Sequence, residues 1–205
     1  MKIVFPVPQD NKRHRHCQKC FSEKVRDVVT DGKTFYHCED CGGTYDRLID
    51  FNPDRIWWVD PKTKEYWHES VGGFVFRDDE KILLIERTLF PYGLTIVAGH
   101  LGPDEDPMAG AIRELYEESG IKATEVNLFT EEDLLTDPCR SGADCHRWHL
   151  YTLQVLNPYP TINTDKEEGK NPQWLTINEA LAEDLTFPTR YFLNKYGNSL
   201  LKTRH

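Results

Sequence analysis

Residues 99–121, GHLGPDEDPMAGAIRELYEESGI, decide how the rest of the chain is read. Asp106 is a suitable N-cap, Pro107 suits the first helical position and Gly120 suits the stop, so the spacing predicts a helix preceded by a loop. At 3.6 residues per turn, Met108, Ala111, Ile112 and Leu115 share one flank, which should face a core. The adjoining flank carries Glu114, Glu117 and Glu118, with Arg113 at its edge. Glu114 meets Glu117 and Glu118 at i+3 and i+4, where like charges repel. The same carboxylates crowd the C-terminal half of the helix, where the macrodipole disfavours anions. Arg113 offsets only part of this. One account is a solvated acidic face; the other is a cation held by oxygen ligands, which hard divalent ions prefer.

The spacing favours the second account. Gly99, five residues, Glu105, seven residues, Arg113-Glu114-Leu115, one residue, Glu117-Glu118, one residue and Gly120-Ile121 together resemble a complete Nudix box. The resemblance implies an α/β fold, a Nudix-type α/β/α sandwich around a mixed sheet. It implies hydrolysis of a phosphoanhydride bond, with Mg²⁺ or Mn²⁺ held by Gly99, Glu114, Glu117 and Glu118 and with Arg113 orienting the glutamates. Glu105 reads as a brace for the loop. In the 8-oxo-dGTP pyrophosphohydrolase branch a Glu-Gly run precedes a Trp and a final helix; on that match Glu168, with Glu167 beside it, is a further metal ligand or the base. The base is therefore either a box glutamate or Glu168. Two solvated glutamates in a turn is the plain alternative. The usual Pro-Gly-Gly before the box is Val97-Ala98-Gly99 here, which keeps Gly99.

Upstream, Cys17-x-x-Cys20 and Cys38-x-x-Cys41 are paired knuckles separated by seventeen residues, the spacing of a zinc ribbon. The stretch between them reads as a hairpin turning at residues 30–33. So small a module lacks a core of its own, and zinc would supply the missing stability. Four thiolates close a tetrahedral site, so His14, His16 and His37 are expected to be surface or supporting residues. Reduced core cysteines without metal are the alternative. We divide the chain into a ribbon at 1–50, an aromatic connector at 51–69 and a Nudix-like domain at 70–205. In the connector, Trp57, Trp58, Tyr66 and Trp67 suit sealing two domains or stacking on a nucleobase.

Within the last region, 70–87 reads as two strands joined at 78–81, and 94–98 as a third. Residues 126–129 and 148–156 read as strands, 177–183 as a helix capped by Thr176 or Asn178, and 186–196 as another. The segment DPCRSGADCHRWH reads as a loop whose Cys139, Cys145, His146 and His149 invite a second metal but match no common ligand spacing.

The 205 residues suffice for one full core and a small module. With 39% hydrophobic residues and no long apolar run, a chain that does not span a membrane is expected. The first residues, MKIVFPVPQD, carry no signal-peptide pattern, and metal-spaced cysteines fit a reducing cytosol, so a cytoplasmic location is expected. Net charge is −9, divided as +1 over residues 1–50 and −10 over the remainder, which argues against strong nucleic-acid binding and leaves a protein partner open.

A ribbon before a Nudix domain resembles the NADH pyrophosphatases in domain order, without their Ser-Gln-Pro-Trp-Pro-Phe-Pro run. That resemblance implies a small nucleotide diphosphate, dinucleotide or ADP-ribose-like, as substrate. A modified nucleoside triphosphate is the alternative substrate, and a non-catalytic ligand sensor the alternative role. A homodimer is expected only because look-alikes form one.

Overall fold

The computed structural model describes residues 1–164 and 169–202; Glu167 and Glu168 lie outside the described residues. The chain forms β1 (His14–His16), β2 (Val25–Thr30), β3 (Lys33–Cys38), β4 (Thr44–Tyr45), β5 (Ile49–Phe51), β6 (Trp57–Val59), β7 (Tyr66–Phe76), β8 (Ile82–Arg87), β9 (Gly93–Thr95) and β10 (Val97–His100). Helix α1 (Pro107–Ser119) follows, then β11 (Asn127–Leu135), β12 (Cys145–Gln154), β13 (Gly169–Leu175), α2 (Ile177–Ala182) and α3 (Phe187–Leu200).

The main sheet runs β11-β12-β7-β8-β13, with β10 and β6 also on β7 and β9 on β8. It is mixed: β12 runs parallel to β7, and the other pairs are antiparallel. Alternation along β7 and β8 sorts their apolar side chains to two faces. Val75, Leu83 and Ile85 pack with Val97 and Leu115 under α1, and Phe74, Phe76, Ile82 and Leu84 pack with Phe192 and Leu193 of α3. Both faces are covered, which makes the α/β/α sandwich. No helix among the described residues is long and apolar enough to cross a membrane.

The β2-β3-β4 sheet and the β1-β5 pair form the N-terminal module. The connector stretch 51–69 supplies β6 and the first residues of β7, so the central strand begins four residues before Ser70. Trp57 packs with Ile3, Ile49, Phe51 and Tyr66 and donates from Nε1 to the Asn52 carbonyl (3.0 Å). Trp58 and Trp67 stack at 5.4 Å.

Several local expectations shift. Residues 94–98 divide into β9, paired with β8, and β10, paired with β7. Residues 127–135 make one strand with a register shift between Leu128 and Thr130. Strand β12 begins at Cys145, inside the segment read as a loop. Met108 is 42% exposed, because the first turn of α1 projects into solvent while Ala111 and Leu115 are buried.

Candidate functional site

Helix α1 is built as its sequence dictates. The Asp106 carboxylate accepts from the backbone of Met108 (3.0 Å) and Ala109 (3.1 Å), satisfying donors the first turn leaves open. Gly120, at φ 73°, stops the helix and donates to the Tyr116 carbonyl (2.8 Å).

Arg113 holds the acidic residues in order. Its Nε and Nη2 donate to Glu105 (2.8 and 3.0 Å), and its Nη1 donates to Glu114 (2.7 Å) and Glu117 (2.9 Å). Nη2 also reaches the His100 carbonyl (3.2 Å). Glu105 accepts in addition from the Gly102 backbone (2.9 Å), so it ties the loop to the helix. The Arg113 hydrogen bonds hold the Glu105 carboxyl below its ordinary value and strengthen the guanidinium's hold on its proton.

Glu118, buried, accepts from the Ala98 backbone (2.9 Å). A Cβ on Gly99 would sit 1.9 Å from the Glu114 carboxyl carbon, so only glycine lets β10 lie against that carboxylate. Glu114, Glu117, Glu118 and the Gly99 backbone thus converge on one side of a cavity of about 630 Å³. Arg55, Arg87 and Arg140 also line it. Arg87 Nε is buried with no hydrogen-bond partner among the described residues. The donor set is oxygen-rich and acidic, which fits a hard divalent cation, and the arginines fit an anionic ligand. The sequence reading missed Arg55, Arg87 and Arg140, which come from the connector, the end of β8 and the loop after β11. No local pattern brings those three segments together.

The ribbon cysteines also meet. The Sγ atoms of Cys17 and Cys41 lie 3.7 Å apart and those of Cys20 and Cys38 3.5 Å apart, and all four are free thiols. A tetrahedron with metal–sulfur distances of about 2.3 Å has edges of about 3.8 Å, so the spacing fits zinc. His16 Nδ1 bonds the Phe21 carbonyl (2.9 Å), and His14 lies between Asp10 (2.9 Å) and Glu23 (2.8 Å).

The four residues singled out in the 137–149 segment separate. Cys139 and His146 line the cavity, whereas His149 sits between Glu69 (2.6 Å) and Glu131 (2.7 Å). Alternation along β12 puts His146 on one face of the sheet and Cys145 and His149 on the other.

The family description "NUDIX domain" matches residues 66–196. The human protein diphosphoinositol polyphosphate phosphohydrolase 3-alpha is 28% identical over 105 residues, which is 51% of this chain and 60% of that relative's length. Human nucleoside diphosphate-linked moiety X motif 6 is 26% identical over 172 residues, 82% of this chain and 51% of the relative. The chain therefore spans about half to three-fifths of these two relatives. Among solved structures, the NUDIX domain of Shewanella oneidensis NrtR complexed with ADP ribose superposes with a TM-score of 0.56 at 18% identity, covering 69% of this chain and 93% of that one.

Proposed function

The chain belongs to the Nudix family, and on that premise we propose that it hydrolyses a phosphoanhydride bond in a nucleoside diphosphate linked to a second group, with a divalent cation at the α1 carboxylates. The observation that carries this is the cavity itself, with Glu114, Glu117 and Glu118 converging there and Arg55, Arg87 and Arg140 also on its walls. Carboxylates alone would repel a diphosphate; arginines alone would bind one without activating it. When bound, Mg²⁺ or Mn²⁺ would neutralise charge on the non-bridging oxygens and on the departing phosphate.

The protein's own groups do the rest. Gly99 through its backbone, with Glu114, Glu117 and Glu118, would hold the cation, with Glu168 as a further ligand. Arg113 sets the rotamers of Glu114 and Glu117 through its paired hydrogen bonds, and the Ala98 N–H fixes Glu118. Arg87 and Arg140 would meet the diphosphate oxygens. A box glutamate or Glu168 would take the proton from the attacking water. Water adds across the bridge, and each product leaves with a terminal phosphate. At the ribbon, Cys17, Cys20, Cys38 and Cys41 would hold one structural zinc with no open position.

The test is a screen of NADH, ADP-ribose, diadenosine polyphosphates, nucleotide sugars, nucleoside triphosphates and a diphosphoinositol polyphosphate with Mg²⁺, reading product release. Turnover of a dinucleotide or ADP-ribose-like compound supports the proposal. Turnover of nucleoside triphosphates alone moves the assignment to the triphosphate reading. Binding of ADP-ribose without turnover of any compound overturns hydrolysis in favour of sensing.

A further inference from the structure

We propose that His68, His100, Cys139 and His146 form a second zinc site, distinct in its ligands from the ribbon and from the α1 carboxylates, with His100, Cys139 and His146 on the wall of the same cavity as those carboxylates. One ligand atom from each of the four lies within 4.8 Å of those of the others. His68 Nδ1 is 3.0 Å from His100 Nε2 and 3.5 Å from Cys139 Sγ. With metal–nitrogen and metal–sulfur distances of about 2.05 and 2.3 Å, a tetrahedral site has edges of about 3.3 Å between nitrogens and about 3.6 Å from nitrogen to sulfur. The two His68 separations lie close to that pattern, and the remaining ligand atoms lie within 4.8 Å of one another.

The sheet brings these residues together. His68 on β7 is the register partner of His146 on parallel β12, so both rings stand on the same face. His100 on β10 pairs with Ser70, two residues along β7, and so falls on that face as a diagonal neighbour. The loop between β11 and β12 then brings Cys139 onto the three imidazoles.

Plain core packing explains the arrangement poorly. His68 is fully buried, and its Nε2 has no hydrogen-bond partner among the described residues. Its polar contacts are therefore with the other members of the cluster, an uncommon state for a buried imidazole. Three imidazoles and a thiol in mutual contact also offer each other few good donor–acceptor pairs. A cation bound by His68 Nδ1, Cys139 Sγ and the other two imidazoles would replace those crowded contacts; His68 Nε2 is not one of its ligands.

The surroundings supply the outer support that such a site needs. Asp137 Oδ2 lies 3.1 Å from His146 Nδ1 and accepts from Trp148 Nε1 (2.9 Å). Nδ1 makes a close electrostatic contact with that carboxylate rather than a hydrogen bond, which leaves His146 Nε2 for the metal. Four protein ligands leave no open position, so the site is structural. It would tie β7, β10 and β12 to the loop that carries Arg140 into the cavity. The same loop docks the N-terminal module, through Leu48 N to the Arg140 carbonyl (3.1 Å), Asp50 N to the Ser141 carbonyl (3.1 Å) and Arg47 Nε to the Cys139 carbonyl (2.8 Å).

The test is metal analysis of the full chain produced with zinc in the medium, combined with X-ray absorption at the zinc edge. Two zincs per chain with mixed nitrogen and sulfur coordination are expected, falling to one zinc with sulfur-only coordination in Cys139→Ala and in His146→Gln. A single zinc with nitrogen-rich coordination in the wild type supports this site and removes the ribbon's zinc. A single zinc in a sulfur-only shell in the wild type overturns the proposal, as does retention of two zincs in both variants. The wild-type measurement needs no variant to fold, and none of the readouts depends on turnover of a diphosphate.

Discussion

The cysteine knuckles of the ribbon and the glutamate face of α1 are both suited to a cation, in opposite ways. Four thiols from two short turns meet at tetrahedral distances and leave nothing for a substrate to occupy. Three carboxylates from a single helix converge on a cavity that arginines also line. With zinc bound, the first arrangement would hold a small module together. The second rests on a sheet and helix that have their own apolar core, with Leu115 under α1, and so does not need the ion to fold. On the proposed readings, metal-coupled folding and metal-coupled chemistry would be kept apart in one chain.

The strongest way to break that contrast is at the helix. Glu117→Gln or Glu118→Gln should lower turnover by about two orders of magnitude while zinc content stays unchanged. Wild-type kcat in both variants would remove the carboxylates from the chemistry. Next in size is Gly99→Ala, whose methyl would collide with Glu114. A displaced carboxylate should cost about tenfold in kcat, with α1 still protected from hydrogen exchange.

Replacing Cys17 and Cys20 by Ser should melt the module rather than the enzyme. Fast amide exchange is expected across β2 and β3, with slow exchange and turnover retained in β7 and α1. Equal loss of protection in both regions would show that the two are one folding unit. The smallest effect concerns acid. Glu105 has its carboxyl lowered by Arg113 from an ordinary 4.5, so its stabilisation is present above that value and is lost as pH falls through the lower, folded value. The melting-temperature gap between wild type and Glu105→Gln should therefore close on acidification below pH 4.5; a gap that widens there would contradict the Arg113 clamp.

Local features were legible. The capping of α1, the order of the box and the paired knuckles each depend on neighbours within a few turns of chain, and Thr176 does cap α2 through a capping box with Glu179. Other readings needed the neighbours in space. Met108 has the right helical phase for the core, yet nothing in phase alone says that the first turn overhangs it. Within a loop, Cys139, Cys145, His146 and His149 invite a shared metal without matching a ligand spacing; in β12 the spacing of three residues sends His146 and His149 to opposite faces.

Sequence alone determined that an acidic helical face follows a glycine loop and that two cysteine pairs stand at ribbon spacing, because helix period, capping and knuckle spacing are short-range properties of the chain. Tertiary structure alone decided that Arg87 and Arg140 line the same cavity as that helix. It also decided that His68, His100, Cys139 and His146 meet. Sheet register sets those neighbours, pairing strands tens of residues apart, and no local pattern encodes which of them will lie side by side.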